Sequence, residues 1–303
     1  MNNVTQLEMN FAPVVQSISS SAMQVELNIS VWKGRKGDKR ASEEVAAANN
    51  AEKGVARVTK SLLGNCDELD ALVKFETKTR NIHTRSTLPW SDMGARLLPT
   101  PRYFDYHKNM SALQTEFYRM VDAFIAAYDL EVAAAQAKLG DLFDVREYPT
   151  TDELRKKFSF TFKYVPVPED GDWRLDIANE ALASLKDQYN NYFADQRLAV
   201  HNDIWKRLYE TLNTLSRQLS DKAEDAKRAP GIYASVFERL HDILDLMDMC
   251  NLTGDVQMQL MQRKLAAAFR GVSAEAVKDD AYLRRDTKQA IDAAIKSLPS
   301  LDF

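Results

Sequence analysis

Between Ile177 and Ala226 the chain contains neither glycine nor proline, and apolar residues recur three, four or, once, seven apart through Leu182, Leu185, Tyr189, Phe193, Val200, Ile204, Leu208, Leu212, Leu215 and Leu219. That period lines one face of an α-helix, and an unbroken run of this length predicts a single helix about 75 Å long. A lone amphipathic helix cannot stay folded with its apolar stripe in water, so other helices must cover it. The repeat runs longer than the roughly 3.5 residues of a left-handed coiled coil, which favours a nearly straight helix packed against neighbours. Pro230 and Gly231 turn the chain, and Ile232–Cys250, Val256–Phe269 and Ser273–Leu298 read as three shorter amphipathic helices returning along it. The fold class is therefore mainly α, an elongated antiparallel helical bundle.

The first half adds a little β structure. Met23, Val25, Leu27, Ile29 and Val31 alternate with polar residues, and Phe158, Phe160, Phe162 and Tyr164 do the same before Pro166. Period two is the mark of a half-buried strand, and these two segments are expected to pair as one small antiparallel sheet of two strands. Helices are expected at Ala41–Leu63, Asp67–Arg85 and Ser111–Leu139, the last with Phe117, Val121, Phe124 and Tyr128 on one face. Pro89, Gly94, Pro99 and Pro101 make Leu88–Arg102 read as a loop. The expected division is a helical domain with a small sheet and a basic loop over 1–174, followed by the long-helix bundle over 175–303.

Charge narrows the function classes. The chain has 40 Lys+Arg against 44 Asp+Glu, a net of −4, which argues against coating nucleic acid or membrane with the whole surface. Local basic patches remain. Lys33, Arg35, Lys36, Lys39 and Arg40 crowd one Gly-containing segment with a single acid, Asp38, and such cations can grip phosphates. Arg80, Arg85, Arg96 and Arg102, interleaved with His83, Trp90 and Tyr103, form a second candidate for single-stranded nucleic acid. Each has a plainer reading: a solvated loop for the first, and a segment tucked onto a core for the second.

Catalytic and metal signatures are sparse. Glu238-x-x-His241 is half of a di-metal motif without its other half, and Asp242, Asp245 and Asp248 read as a solvated helix face. Asp170-Gly171-Asp172 is a turn rather than a calcium loop, and Gly34 and Gly37 lack the spacing of a phosphate-binding loop. The expectation is no enzyme, no cofactor and no bound metal. Cys66 and Cys250 stand far apart outside any C-x-x-C pair, the start at Met1–Asn10 lacks a signal-peptide pattern, and no run reaches the about 20 apolar residues that span a bilayer. The expectation from these features is a cytoplasmic protein, in a bacterium or in a host cell infected by a phage, away from membranes.

Several short segments carry a resemblance: Leu88-Pro89-Trp90 with Gly94–Pro99, Tyr148-Pro149, Glu153-Leu154-Arg155, Lys157–Phe160, Pro166-Val167-Pro168 and Asp172-Trp173-Arg174, after a first strand ending in Val31-Trp32. Over Ala22–Arg174 the chain resembles a phage and prophage family of unknown function. That resemblance implies a phage origin and a gene neighbourhood with a MoxR-type AAA ATPase and a von Willebrand A-domain protein. No catalytic residue is attached to these motifs. The expected function is a non-catalytic phage-encoded helical scaffold or adaptor acting through protein–protein contacts, with the ATPase as a candidate partner and self-association as another. The alternative is a nucleic-acid-binding accessory protein using the basic loop.

Overall fold

The computed structural model describes residues 21–91, 94–167, 179–220, 231–249, 251 and 255–299. Met1–Asn10, Asp170–Asp172, Pro230, Cys250 and both ends of the Ile177–Ala226 segment lie outside the described residues. The order is β1 (Ala22–Ser30), β2 (Arg35–Asp38), α1 (Lys39–Ala48), β3 (Val58–Ser61), α2 (Asp67–Ser86), β4 (Leu88–Pro89), β5 (Arg96–Pro99), α3 (Tyr103–Leu139), α4 (Thr151–Arg155) and β6 (Ser159–Pro166), then α5 (Asn179–Gln218), α6 (Ala234–Met249), α7 (Val256–Ala268), α8 (Ala274–Asp279) and α9 (Ala281–Lys296). No helix among the described residues is long and apolar enough to cross a membrane.

The chain is predominantly helical, and the two period-two segments do lie side by side, but the sheet is larger than two strands. Its order is β4-β5-β1-β6, and a separate pair joins β2 to β3. The added strands come from Leu88–Arg102, which is not simply a loop. Leu97 and Leu98 face Gln24 and Met23 in the antiparallel register of β5 on β1, and β4 pairs back on β5. Pro89 and Pro99 sit at the last positions of β4 and β5, and Gly94, at φ +98, makes the turn between those strands. A Gly- and Pro-rich stretch therefore reads as a loop although two short strands lie between its breakers.

Ala41–Leu63 is also not one helix. α1 stops at Ala48, Asn50 takes a left-handed φ of +50, and the chain returns as β3, pairing Arg35 with Ser61 and Asp38 with Val58. Alanine favours a helix, but the Asn49-Asn50 break and the strand partner waiting at β2 override that preference. The last predicted helix is likewise split. Asp280 is extended, and its carboxylate accepts from the Tyr282 and Leu283 N–H groups, starting α9 anew.

The described chain divides into two compact units. One contains Leu27–Thr84 and Phe104–Lys163. Its core is aromatic: Trp32 packs on Phe124 and Tyr128, Phe124 on Phe158, and Phe117 on Phe160. The Tyr128 hydroxyl donates to the Pro149 carbonyl at 3.1 Å, so burial of this ring leaves no orphan donor. The other unit holds residues up to Glu26, Arg85–Tyr103 and everything from Tyr164. There α5 packs on α6 and α9, and α7 on α6, around Trp205, Leu208, Leu212 and Leu215 of α5, all of them buried. The apolar stripe that the sequence displays on α5 is thus the seam of this core.

Candidate functional site

The basic segment after β1 is built, not slack. Gly34 takes φ +59 to turn the chain, and its carbonyl accepts from the Leu62 N–H at 2.7 Å, where the excursion through β2, α1 and β3 returns. Asp38 caps α1 by accepting from the Ala41 N–H at 3.0 Å. The Ser42 hydroxyl accepts from the Val58 N–H at 2.9 Å and donates to the Asp38 carbonyl, closing the far end of the ladder. Lys60, only 8% exposed at its side chain, reaches Glu147 at 2.7 Å, Asp38 at 3.5 Å and the Leu142 carbonyl at 2.6 Å. Glu147 holds the Lys60 ammonium above its ordinary pKa, and the Ala41 N–H, assisted by Lys60, holds the Asp38 carboxyl below its own.

The nine candidate cations fare differently. Lys33 pairs with Glu76, which also takes Arg80 at 3.2 Å. Burial pushes the Glu76 carboxyl up, but these two cations outweigh it and its pKa lies below the usual range. Arg80 also donates to the Ile29 carbonyl at 2.6 Å, and Arg40 pairs with Glu44 one turn away at 3.0 Å. Lys36 lies 3.8 Å from Glu147. Arg85 pairs with Asp242 at 2.9 Å and Arg102 with Asp245 at 3.1 Å, so the α6 carboxylates that read as a solvated face clamp the two ends of the Pro-containing segment. Arg96 donates to the Thr87 hydroxyl at 2.7 Å and to its carbonyl at 3.1 Å. Only Arg35 and Lys39 are exposed with no partner among the described residues.

Two of the ring-bearing members of the second cluster are buried, and the third, Tyr103, is half-buried and meets Tyr164 edge-on at 5.0 Å. Trp90 is 3% exposed and meets Phe193 edge-on at a centroid distance of 5.4 Å. His83 is buried, its Nδ1 at 2.7 Å from the Tyr106 hydroxyl. The structure therefore keeps the two basic clusters apart in kind: one carries open cations and no aromatic ring, and the other has buried rings and paired arginines.

Beside the first lies an open cleft of about 460 Å³ between the β2–β3 pair and α1. Gly37, Lys39, Ser42, Glu43, Arg57 and Thr59 are among its lining residues. Arg57 is a further exposed cation that the segment Lys33–Arg40 could not reveal, because a helix and a turn separate it in sequence. Elsewhere, Cys66, Glu68 and Glu131 each bring one potential donor atom within 4.8 Å of the others. Burial pushes the Cys66 thiol above its ordinary pKa, Glu68 is exposed, and Lys138 answers Glu131 at 3.9 Å.

No family model, no curated protein and no solved structure matches this chain.

Proposed function

We propose that the chain is a non-catalytic helical scaffold or adaptor acting through protein–protein contacts, in the cytoplasm of a bacterial host, with the helices beyond Tyr164 forming an antiparallel bundle whose outer faces make the contacts. The observation that supports it is the fate of the candidate cations. Lys33, Arg40, Arg80, Arg85 and Arg102 lie within 3.2 Å of carboxylates of the same chain. A cation already neutralised by its own chain releases fewer counterions when it meets a phosphate, and the binding free energy for nucleic acid falls accordingly. Large apolar side chains, by contrast, stand in water on three helices of that bundle: Leu198 of α5 is 56% exposed, Leu260 of α7 60% and Tyr282 of α9 76%. Such residues are the raw material of protein contacts.

The resemblance to a phage family suggests the first partner to test, a MoxR-type AAA ATPase. Sedimentation of the purified chain with and without that ATPase should give a heavier species only in the mixture. A parallel mobility-shift assay with DNA and RNA should show little binding at physiological salt. A tight shift with a steep salt slope, alongside no complex with the ATPase and no self-association, overturns the adaptor reading in favour of a nucleic-acid accessory protein.

A further inference from the structure

We propose that the β2–β3 hairpin and its cleft dock an extended acidic peptide segment of a partner protein, with carboxylates meeting Arg35, Lys39 and Arg57. This rests on the adaptor reading and adds a contact outside the helices beyond Tyr164, with its chemistry. Lys33–Lys60 contains eight Lys/Arg against four Asp/Glu, and with Glu76 and Glu147 reaching it from outside the segment a net of +2 remains inside a chain of net −4. Charge complementarity therefore selects an anionic occupant for this region and disfavours one for the chain at large.

Backbone geometry selects the form of that occupant. The Leu62 N–H bond to Gly34 sets the ladder so that Lys36 and Lys60, and Asp38 and Val58, fall at the inward-bonded positions. Arg35 and Gly37 then turn their N–H and C=O groups away from β3, along an edge that no other strand pairs among the described residues. Both residues are exposed. An open strand edge is the template on which an extended peptide adds as a further strand. Two-residue alternation sends the Lys36 and Lys60 side chains to one face, where they meet Glu147, and puts Arg35, Gly37, Thr59 and Ser61 on the other. That second face is small-sided and exposed, with open space at the position where Gly37 lacks a Cβ. It continues into the cleft that Lys39 and Arg57 line.

The same observations decide against single-stranded nucleic acid. None of the residues lining the cleft is Phe, Trp or Tyr, so a base finds no stacking platform within it. The acids of the cleft fit a peptide as well. Of the two acids that line it, Asp38 is engaged with Ala41 and Lys60, and Glu43, 61% exposed at its side chain and 4.0 Å from Lys53, is the one left to oppose an anionic guest.

The test is fluorescence anisotropy on the full chain, with a short labelled peptide of alternating Glu and Thr, its Lys/Thr counterpart and an oligothymidylate. The Glu/Thr peptide should bind, weaken as salt rises, and outcompete both other probes. The triple variant Arg35→Ser, Lys39→Ser, Arg57→Ser should lose at least about tenfold in affinity, and Glu43→Gln should tighten binding about two- to threefold. Unchanged circular dichroism and melting of the triple variant keep the comparison clean. Equal binding by triple variant and wild type, no binding of the Glu/Thr peptide at low salt, or tighter binding of the oligothymidylate each overturn the proposal. If the chain still forms its complex with the ATPase while the acidic peptide fails to bind, this inference falls and the adaptor reading stands. If neither complex forms and the chain does not self-associate, both fall.

Discussion

Two segments of this chain look alike on paper and differ in the fold. Lys33–Arg40 and Arg80–Arg102 are both basic and both punctuated by glycine or proline. In the second, Asp242 and Asp245 take Arg85 and Arg102, while Leu88, Trp90 and Leu97 are buried in the core. In the first, Lys33 and Arg40 pair with Glu76 and Glu44 and Lys36 lies 3.8 Å from Glu147, but Arg35 and Lys39 are left in water. A run of cations is a binding surface only where the fold does not bring carboxylates to it. That information is non-local, so the count of charges along the sequence cannot carry it.

The largest expected effect tests the claim that the second segment is structural. Trp90→Ala should cost about 3–5 kcal/mol, because it empties the space against Phe193. Denaturant unfolding checks it, and a loss under about 1 kcal/mol breaks the comparison.

Lys60→Met should cost about 2 kcal/mol, since Glu147 and Asp38 lose their shared cation at a site where each is about one-seventh exposed. Its pH dependence has a defined sign. The folded Lys60 pKa lies above its usual 10.5, so the stability it contributes is complete below that value and disappears as pH rises through the folded one. Asp38 lies below its usual 3.8, so its contribution is present above that value and is lost as pH falls through the folded one. The wild type's advantage over Lys60→Met should therefore be flat from about pH 5 to pH 10 and shrink outside that window. Unfolding at several pH values measures it.

A smaller effect sharpens the comparison. Asp242→Asn with Asp245→Asn should cost only about 1 kcal/mol in total, because both pairs are partly solvated. Freed of their carboxylates, Arg85 and Arg102 should then raise retention on an anionic resin relative to wild type. Unaltered retention would mean that these arginines are sequestered by something other than charge. Smallest of all, Arg35→Ser with Lys39→Ser should change stability by less than about 0.5 kcal/mol in thermal melts, since neither side chain has a partner to lose.

The sequence made some elements legible and hid others for physical reasons. The α5 stripe and the alternation of β1 and β6 are local patterns with a fixed period, and both survive in the fold. β4 and β5 are two and four residues long, and what makes them strands is pairing with β1 from far along the chain. Ala41–Ala48 reads as helix and is helix, but nothing in the composition of 51–63 announces a strand until Arg35–Asp38 is placed beside it. At the candidate site, Lys39 was visible within the basic run, whereas Arg57 joins it only through the hairpin. The carboxylates that silence Arg85 and Arg102 lie on α6, and no spacing rule connects them.

The hydrogen bond between Leu62 and Gly34 has a consequence for modularity. The chain departs and returns at adjoining points, so residues 35–61 form a cassette closed at its base. Because closing a loop depends only weakly on its length, about 0.6 kcal/mol per doubling, a short glycine linker in its place should leave the host unit folded. Gly34 must be kept, since a Cβ there would sit 3.0 Å from the Leu69 side chain at a left-handed φ, and Glu147→Gln would remove the charge that Lys60 no longer meets. The segment is in this sense expected to be separable: deletion from its scaffold should remove Arg35, Lys39 and Arg57 together and leave the rest of the unit in place.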